Sequence, residues 1–421
     1  MRADEMRDSG ALLGTALDEV TELARDVHKA LAGRIFGLFG PAARPAHLLH
    51  DAIAATAYAG SRLTARAVPA AAGALAAHTG KANLDAYADT PRGHFSLSAL
   101  NGFWGDRLAD ERAALAPVMS VRTHAGALRR MPGNVVHDVA APSGKLVVFL
   151  HGLCESERYW WYGSERTWGD PDVTYGSLLR DERDWTPLYM HYNTGLHISE
   201  NGRLLARYLE TLVERWPVPV TEIALVGHSM GGLVVRAGAH LADDHDLVWV
   251  QALRHLVGLG TPHLGAPLER FVNRGTHLMA RLPETEPVAA WLNRRSVGIK
   301  DLRHGSVVEA DWTDFDPDDP LDNVTAGTLL PGVAYSMVSA TLSTRPHGRL
   351  AHDLLVEHVS AHGTGRPGAT RRFEFDVDRL LHVGRRTHFH LLNDRVVYEN
   401  LRSWLDGADG AADGMPADEA L

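Results

Sequence analysis

The chain has 421 residues, with 42 lysines and arginines against 52 aspartates and glutamates and a formal net charge of −10. Hydrophobic residues at 45% and charged residues at 22% are ordinary for a chain that buries a core, which excludes general disorder. The acidic balance argues against phosphate-backbone binding, so no nucleic acid partner is expected, and the single cysteine, Cys154, excludes an internal disulfide framework and fits a reducing compartment.

Met1 to Gly10 carry both charge signs and lack the apolar core of a secretory signal. No stretch reaches the roughly 18 uninterrupted apolar residues of a membrane span; the Ala-rich run from Ala52 to Ala77 is broken by Arg62 and Arg66. A soluble, cytoplasmic protein is the expectation. Residues 1–115 read as a helical N-terminal extension. Leu13, Leu17, Val20, Ala24, Val27 and Leu31 recur at steps of four and three and predict an apolar stripe along one helix. Gly40, Pro41 and Pro45 break it, and a second helix is expected from about Ala46, with Leu49, Ile53, Ala57 and Gly60 as a stripe of small residues that allows close packing. The plain expectation is a helical cap that shares its apolar face with the rest of the protein. A peripheral membrane contact is the alternative, weakened because the polar face is not basic.

From about Pro117 the pattern changes. Val118–Val121, Asn134–Val139 and Lys145–Leu150 are short β-prone runs separated by Gly and Pro signals. Strands and helices then alternate: strand Trp185–Tyr192, helix Gly202–Trp216, strand Glu222–Val226, helix Leu233–Leu241, strand Leu253–Leu259. Leu146–Leu150 and Ile223–Val226 are continuous apolar runs, as expected of parallel strands covered on both faces. Alternating βα units predict an α/β sheet between helices.

Gly227-His228-Ser229-Met230-Gly231 is a complete G-x-S-x-G between a predicted strand and a predicted helix. A serine hydroxyl is a weak nucleophile until it is held clear of its neighbours and presented to a base. A sharp strand-to-helix turn does the holding, and the glycines let the backbone pass. Upstream, the strand Leu146–Leu150 runs into His151-Gly152-Leu153. In a hydrolase sheet that strand end supplies one N–H of an oxyanion hole, and the residue after the nucleophile supplies the other. The expected donors are the backbone N–H groups of Leu153 and Met230.

Phe149-Leu150-His151-Gly152, Gly227-His228-Ser229-Met230-Gly231-Gly232 and Gly260-Thr261-Pro262-His263-Leu264-Gly265 together resemble the α/β-hydrolase superfamily, and within it the lipase and GPI inositol deacylase-like esterase branch. The resemblance covers residues 118 to 405 and leaves the helical region outside. It implies an α/β-hydrolase fold, with a catalytic domain over 116–405, and a triad in the order Ser, acid, His. The implied nucleophile is Ser229. For the acid, Asp353 in His352-Asp353-Leu354-Leu355-Val356 follows the late strand Gly332–Leu342; the family usually has Gly where His352 stands. For the base, Thr387-His388-Phe389-His390-Leu391-Leu392 follows the β-prone Arg372–Val377 and precedes a terminal helix with Val397, Leu401 and Leu405 at steps of four. The resemblance gives the role to His388, while residues two apart on an extended loop point the same way and keep His390 open.

Seven carboxylates without one basic residue crowd between Glu309 and Asp322. The spacing Asp314, Asp316, Asp318 resembles the start of a calcium loop but lacks its glycine, and its twelfth position is Thr325. A solvated insertion is the better reading, and no metal or cofactor is expected. The tail 406–421 adds five acids and no base and is expected to be disordered. Those two stretches hold twelve carboxylates, more than the whole net charge, so the charge says little about substrate. Trp160, Trp161, Tyr162 and Trp168 could line an acyl pocket, or pack an irregular loop. Residues 264–331 are too long for a simple connection and could form a lid. The expected function is a lipase-like serine esterase cleaving an apolar acyl ester, from a small molecule or a lipid. The alternatives are a thioesterase or acyltransferase on the same triad, or a non-catalytic scaffold with a helical docking module.

Overall fold

The computed structural model describes residues 3–79, 91–111, 115–124, 126, 128–139, 141–266, 269, 275–313, 329–346, 351–364, 373 and 375–407. The aspartates at 314, 316 and 318, and the acidic tail from 408 onward, lie outside them. The chain divides into two compact units. One comprises Met1–Pro117 and Leu268–Lys300; the other comprises Val118–Pro267 and most of the chain from Asp301 on. Part of the segment expected to be an insertion in the catalytic domain therefore groups with the N-terminal helices.

The first unit is built on α1 (Ala3–Leu38), α2 (Arg44–Thr79) and α3 (Pro91–Asp110). The first two form an antiparallel hairpin in which Gly10 meets Gly73 and Asp18 receives the guanidinium groups of Arg62 at 2.7 Å and Arg66 at 2.8 Å. This corrects the stripe expected from the heptad pattern. Leu13, Leu17, Val20 and Leu31 are exposed, as are Leu49 and Ile53 of the second stripe, while Gly14, Asp18 and Ala32 are buried. The helices touch through small residues and an ionic cluster, which allows a closer approach than leucines would. No described helix is long and apolar enough to cross a membrane.

The second unit is a seven-stranded sheet of β1 (Ser120–Thr123), β2 (Lys145–Leu150), β3 (Trp185–His191), β4 (Glu222–His228), β5 (Leu253–Leu259), β6 (Ala334–Thr341) and β7 (Leu380–Gly384). Its order is β1-β3-β2-β4-β5-β6-β7. β1 runs antiparallel to β3, and the other neighbouring pairs are parallel. The unbroken apolar run of β2 is buried on both faces. Leu146, Val148 and Leu150 pack with Leu205, Leu209 and Leu233 from helices Ile198–Glu214 and Met230–Asp244. Val147 and Phe149 pack on the other face with Leu179, Val397, Leu401 and Leu405 from helices Tyr175–Arg183 and Arg395–Asp406.

Two β-prone runs are not strands over their described residues. Asn134–Val139 falls largely in a 3-10 helix, Pro132–Asp138, because Pro132 and Gly133 open a turn in which the Asn134 N–H donates to Met131 at 3.0 Å. In Arg372–Val377, residues 372 and 374 are outside the described set, and Phe373 and Phe375 are buried with their rings 5.8 and 5.1 Å from that of His263. The last strand is β7, which pairs with β6 further along the chain. The aromatics that read as strand residues fill core space instead.

Candidate active site

β2 and β4 run side by side with Leu150 opposite Gly227, so the turns that follow them open at the same carboxyl-terminal edge of the sheet. There Ser229, between β4 and the helix Met230–Asp244, takes φ 52° and ψ −122°. Its N–H donates to the Leu259 carbonyl at 2.8 Å and its carbonyl accepts from Gly232 at 3.1 Å. The turn is so tight that a Cβ on Gly227 would strike the Gly231 and Gly232 backbone. One on Gly231 would lie 2.5 Å from the Leu150 carbonyl oxygen. Both glycines flanking the serine are steric requirements.

Leu259, which holds Ser229, is followed by Gly260, and the ring of His388 packs there: a Cβ on Gly260 would come within 3.0 Å of its Cε1 and Nδ1. His388 is buried at the start of a 3-10 turn, His388–Leu392. Its Nδ1 lies 2.6 Å from Asp353 Oδ2, and its backbone N–H donates to the Asp353 carbonyl at 3.0 Å. Its Nε2 has no hydrogen-bond partner among the described residues. His390 points elsewhere, with Nδ1 2.7 Å from the hydroxyl of Thr387. The structure thus brings Asp353 to His388 and not to His390.

Asp353 lies in the turn after β6 and is buried. Its Oδ1 accepts from the Leu355 N–H at 2.9 Å and the Val356 N–H at 2.8 Å. The positive φ of this turn, 95°, falls on Leu354, so His352 stands without difficulty where the family carries glycine. Burial alone would raise the Asp353 carboxyl, but the adjacent His388 and the two N–H donors hold it below the usual carboxylate range. Burial likewise presses the His388 imidazole down, and the Asp353 charge and hydrogen bond outweigh it and leave the ring above its ordinary value. The two rival acids among the described residues are engaged elsewhere: Glu309 binds Arg203 at 2.6 Å, and Asp311 caps the Val307 and Val308 N–H groups.

Leu153 and Met230 occupy the turn after β2 and the first position of the helix after Ser229. Neither N–H donates a hydrogen bond among the described residues. The tryptophans are engaged in packing. Trp160 is buried against Phe149 at 4.8 Å, Trp161 lies 4.6 Å from Tyr189, and Trp168 donates to Asn393 at 2.9 Å. In Gly260-Thr261-Pro262-His263, Thr261 packs onto Gly232, and His263 lies 3.1 Å from buried Arg236 of the serine helix. This segment buttresses the serine turn from behind. Among the described residues no group of three or more His, Cys, Asp or Glu could hold a metal ion.

One residue at the site escaped the sequence reading. Glu155, 2% exposed, accepts the Gly152 N–H at 2.7 Å and lies 3.0 Å from His228 Nδ1. The available signal was its place three residues after a strand-end glycine, where a side chain can reach back and close a turn.

Residues 141–324 match the family model of the PGAP1-like alpha/beta domain, a span that holds Ser229, Leu153 and Met230 but neither Asp353 nor His388. No curated protein sequence matches the chain. Among solved structures it is similar to a lipase-esterase related protein from Clostridium acetobutylicum ATCC 824, at 14% identity and a TM-score of 0.32 over 62% of this chain and 95% of that one. It is also similar to an esterase of Pyrobaculum calidifontis, at 13% identity and a TM-score of 0.37 over 76% and 94%. A third is the RedJ thioesterase of the prodiginine pathway in Streptomyces coelicolor, at 17% identity and a TM-score of 0.30 over 64% and 94%. Likenesses of that size say nothing about substrate. Taken with the family-model match, the mostly parallel sheet with its antiparallel first strand and the strained serine turn between strand and helix give residues 118–407 an α/β-hydrolase fold.

Proposed function

We propose that the protein is a serine hydrolase of carboxylic esters with Ser229 as nucleophile, His388 as base, Asp353 as the acid that orients it, and the Leu153 and Met230 N–H groups as oxyanion donors. The observation that carries this reading is the buried Asp353–His388 pair, whose free Nε2 lies at the same strand ends as the strained Ser229. His388 takes the Ser229 proton as the serine oxygen attacks the ester carbonyl, and the two N–H groups stabilise the tetrahedral oxyanion. The alcohol leaves with a proton from His388. Water, deprotonated by the same ring, then releases the acid from the acyl-serine. Asp353 stays ionised throughout and stabilises the imidazolium. An apolar acyl chain is the substrate class we assign, on the lipase-like motifs around Ser229.

The test is a chain-length series of p-nitrophenyl esters beside acyl-CoA thioesters, with the full chain and Ser229→Ala. Ester turnover is expected, falling at least about 10⁴-fold in Ser229→Ala. Equal turnover by the two proteins would overturn the reading, and turnover of acyl-CoA alone would replace the esterase by a thioesterase.

A further inference from the structure

Glu155 is a buried carboxylate that the reaction as described does not use. Burying a carboxylate is costly unless donors compensate it, and here the donors are specific. The Gly152 N–H donates to Oε2 at 2.7 Å, and the Glu155 N–H donates to the Gly152 carbonyl at 3.3 Å. The turn 152–155 is closed from both ends, with Cys154 in the left-handed region at φ 58° and Leu153 held between. The carboxylate occupies the Gly152 N–H, while the Leu153 N–H donates no hydrogen bond among the described residues. The second contact leads to the serine turn. His228 is wholly buried, its Nδ1 lies 3.0 Å from the Glu155 carboxylate, and its Nε2 lies 3.2 Å from the His388 carbonyl oxygen. Both ring nitrogens face acceptors. A continuous hydrogen-bonded path thus runs from Gly152 through Glu155, His228 and His388 to Asp353, and it ties together the turns after β2, β4, β6 and β7.

We infer that Glu155 is a positioning residue for the Ser229 site, its carboxylate closing the turn that presents the Leu153 N–H and keeping a negative charge within reach of His388. This rests on the reading of Ser229 as nucleophile. The Glu155 charge adds to that of Asp353 in holding the His388 ring above its ordinary value. The titratable groups that face His388 are Asp353 from the turn after β6, His228 from the end of β4 and, beyond it, Glu155.

Two variants separate the roles. Glu155→Gln keeps the shape and an acceptor oxygen but removes the charge; Glu155→Ala removes both. Only the neutral ring of His388 accepts the serine proton, so its pKa sets the acid limb of kcat/KM. In Glu155→Gln that limb is expected to move to lower pH. In Glu155→Ala, kcat is expected to fall about 10- to 100-fold with KM changed less than about twofold, the signature of a misplaced donor felt in the transition state. An unmoved limb in Glu155→Gln overturns the inference, and decides alone should Glu155→Ala not fold. A Glu155→Ala enzyme with wild-type kcat overturns it too. If wild type and Ser229→Ala turn over esters equally, the reading of the site fails and this inference falls with it. Wild-type turnover with indifferent Glu155 variants sinks the inference alone.

Discussion

A serine at φ 52° and ψ −122° sits in a region that L residues avoid, at a cost on the order of 1–3 kcal/mol, and it persists only where the surroundings over-determine it. Around Ser229 they do: the Leu259 carbonyl takes its N–H, and Gly227 before it and Gly231 after it admit no Cβ. The ring of His388 is fixed with comparable thoroughness, since Asp353 binds it through its side chain and takes the His388 backbone N–H on its carbonyl. Asp353→Asn is therefore expected to lower kcat/KM by about 10³- to 10⁴-fold while the fold is kept. Asp353 raises the His388 pKa, so the activity that remains should appear at lower pH than in wild type. A pH–rate profile checks both points, and a variant of near wild-type rate would remove Asp353 from the role. Ser229, Asp353 and His388 were singled out in the sequence because each stands in a local motif, and the structure pairs the last two. Glu155 could not, because its partner His228 is 73 residues away and only the β2–β4 pairing brings them together.

At the scale of elements, apolar runs were the legible part. The continuous apolar run of β2, and the four-residue spacing of Val397, Leu401 and Leu405, show directly as buried faces. The helical hairpin was misread for a physical reason: its contact face is made of glycines and charge, which hydropathy discounts. Asp18 is the centre of that face, and Arg62 and then Arg66 hold its carboxyl at about 2 against the burial that opposes them. A depressed carboxylate pKa contributes stability that is complete above about pH 4 and is lost as the pH falls through about 2. Asp18→Asn should therefore cost about 1–2 kcal/mol at pH 7, discounted because Arg66 is largely solvated, and the difference from wild type should shrink as the pH drops from 4 to 2. Thermal melts at pH 7 and pH 3 check this; coincident melts at pH 7 would mean the cluster stabilises nothing.

For the molecule as a whole, the sequence separates a helical region from a hydrolase region at a change of texture near Pro117, where the first unit also ends its N-terminal stretch. It did not reveal that Leu268–Lys300 joins that unit, because the contacts are long-range: the Ser296 N–H donates to the Phe103 carbonyl at 3.0 Å, and Arg107 reaches the Arg294 carbonyl at 3.0 Å. The residues of the proposed site, in contrast, are spread between positions 153 and 388 and converge on the carboxyl-terminal ends of the parallel strands. The central element of the proposed reaction is a nucleophilic Ser229, and a fluorophosphonate probe addresses that without knowledge of the substrate. Treatment of the folded full chain, followed by intact-mass and peptide mapping, should give one adduct on Ser229 and none in Ser229→Ala. A folded wild-type protein that takes up no label, or a Ser229→Ala protein labelled to the same extent, would contradict the account.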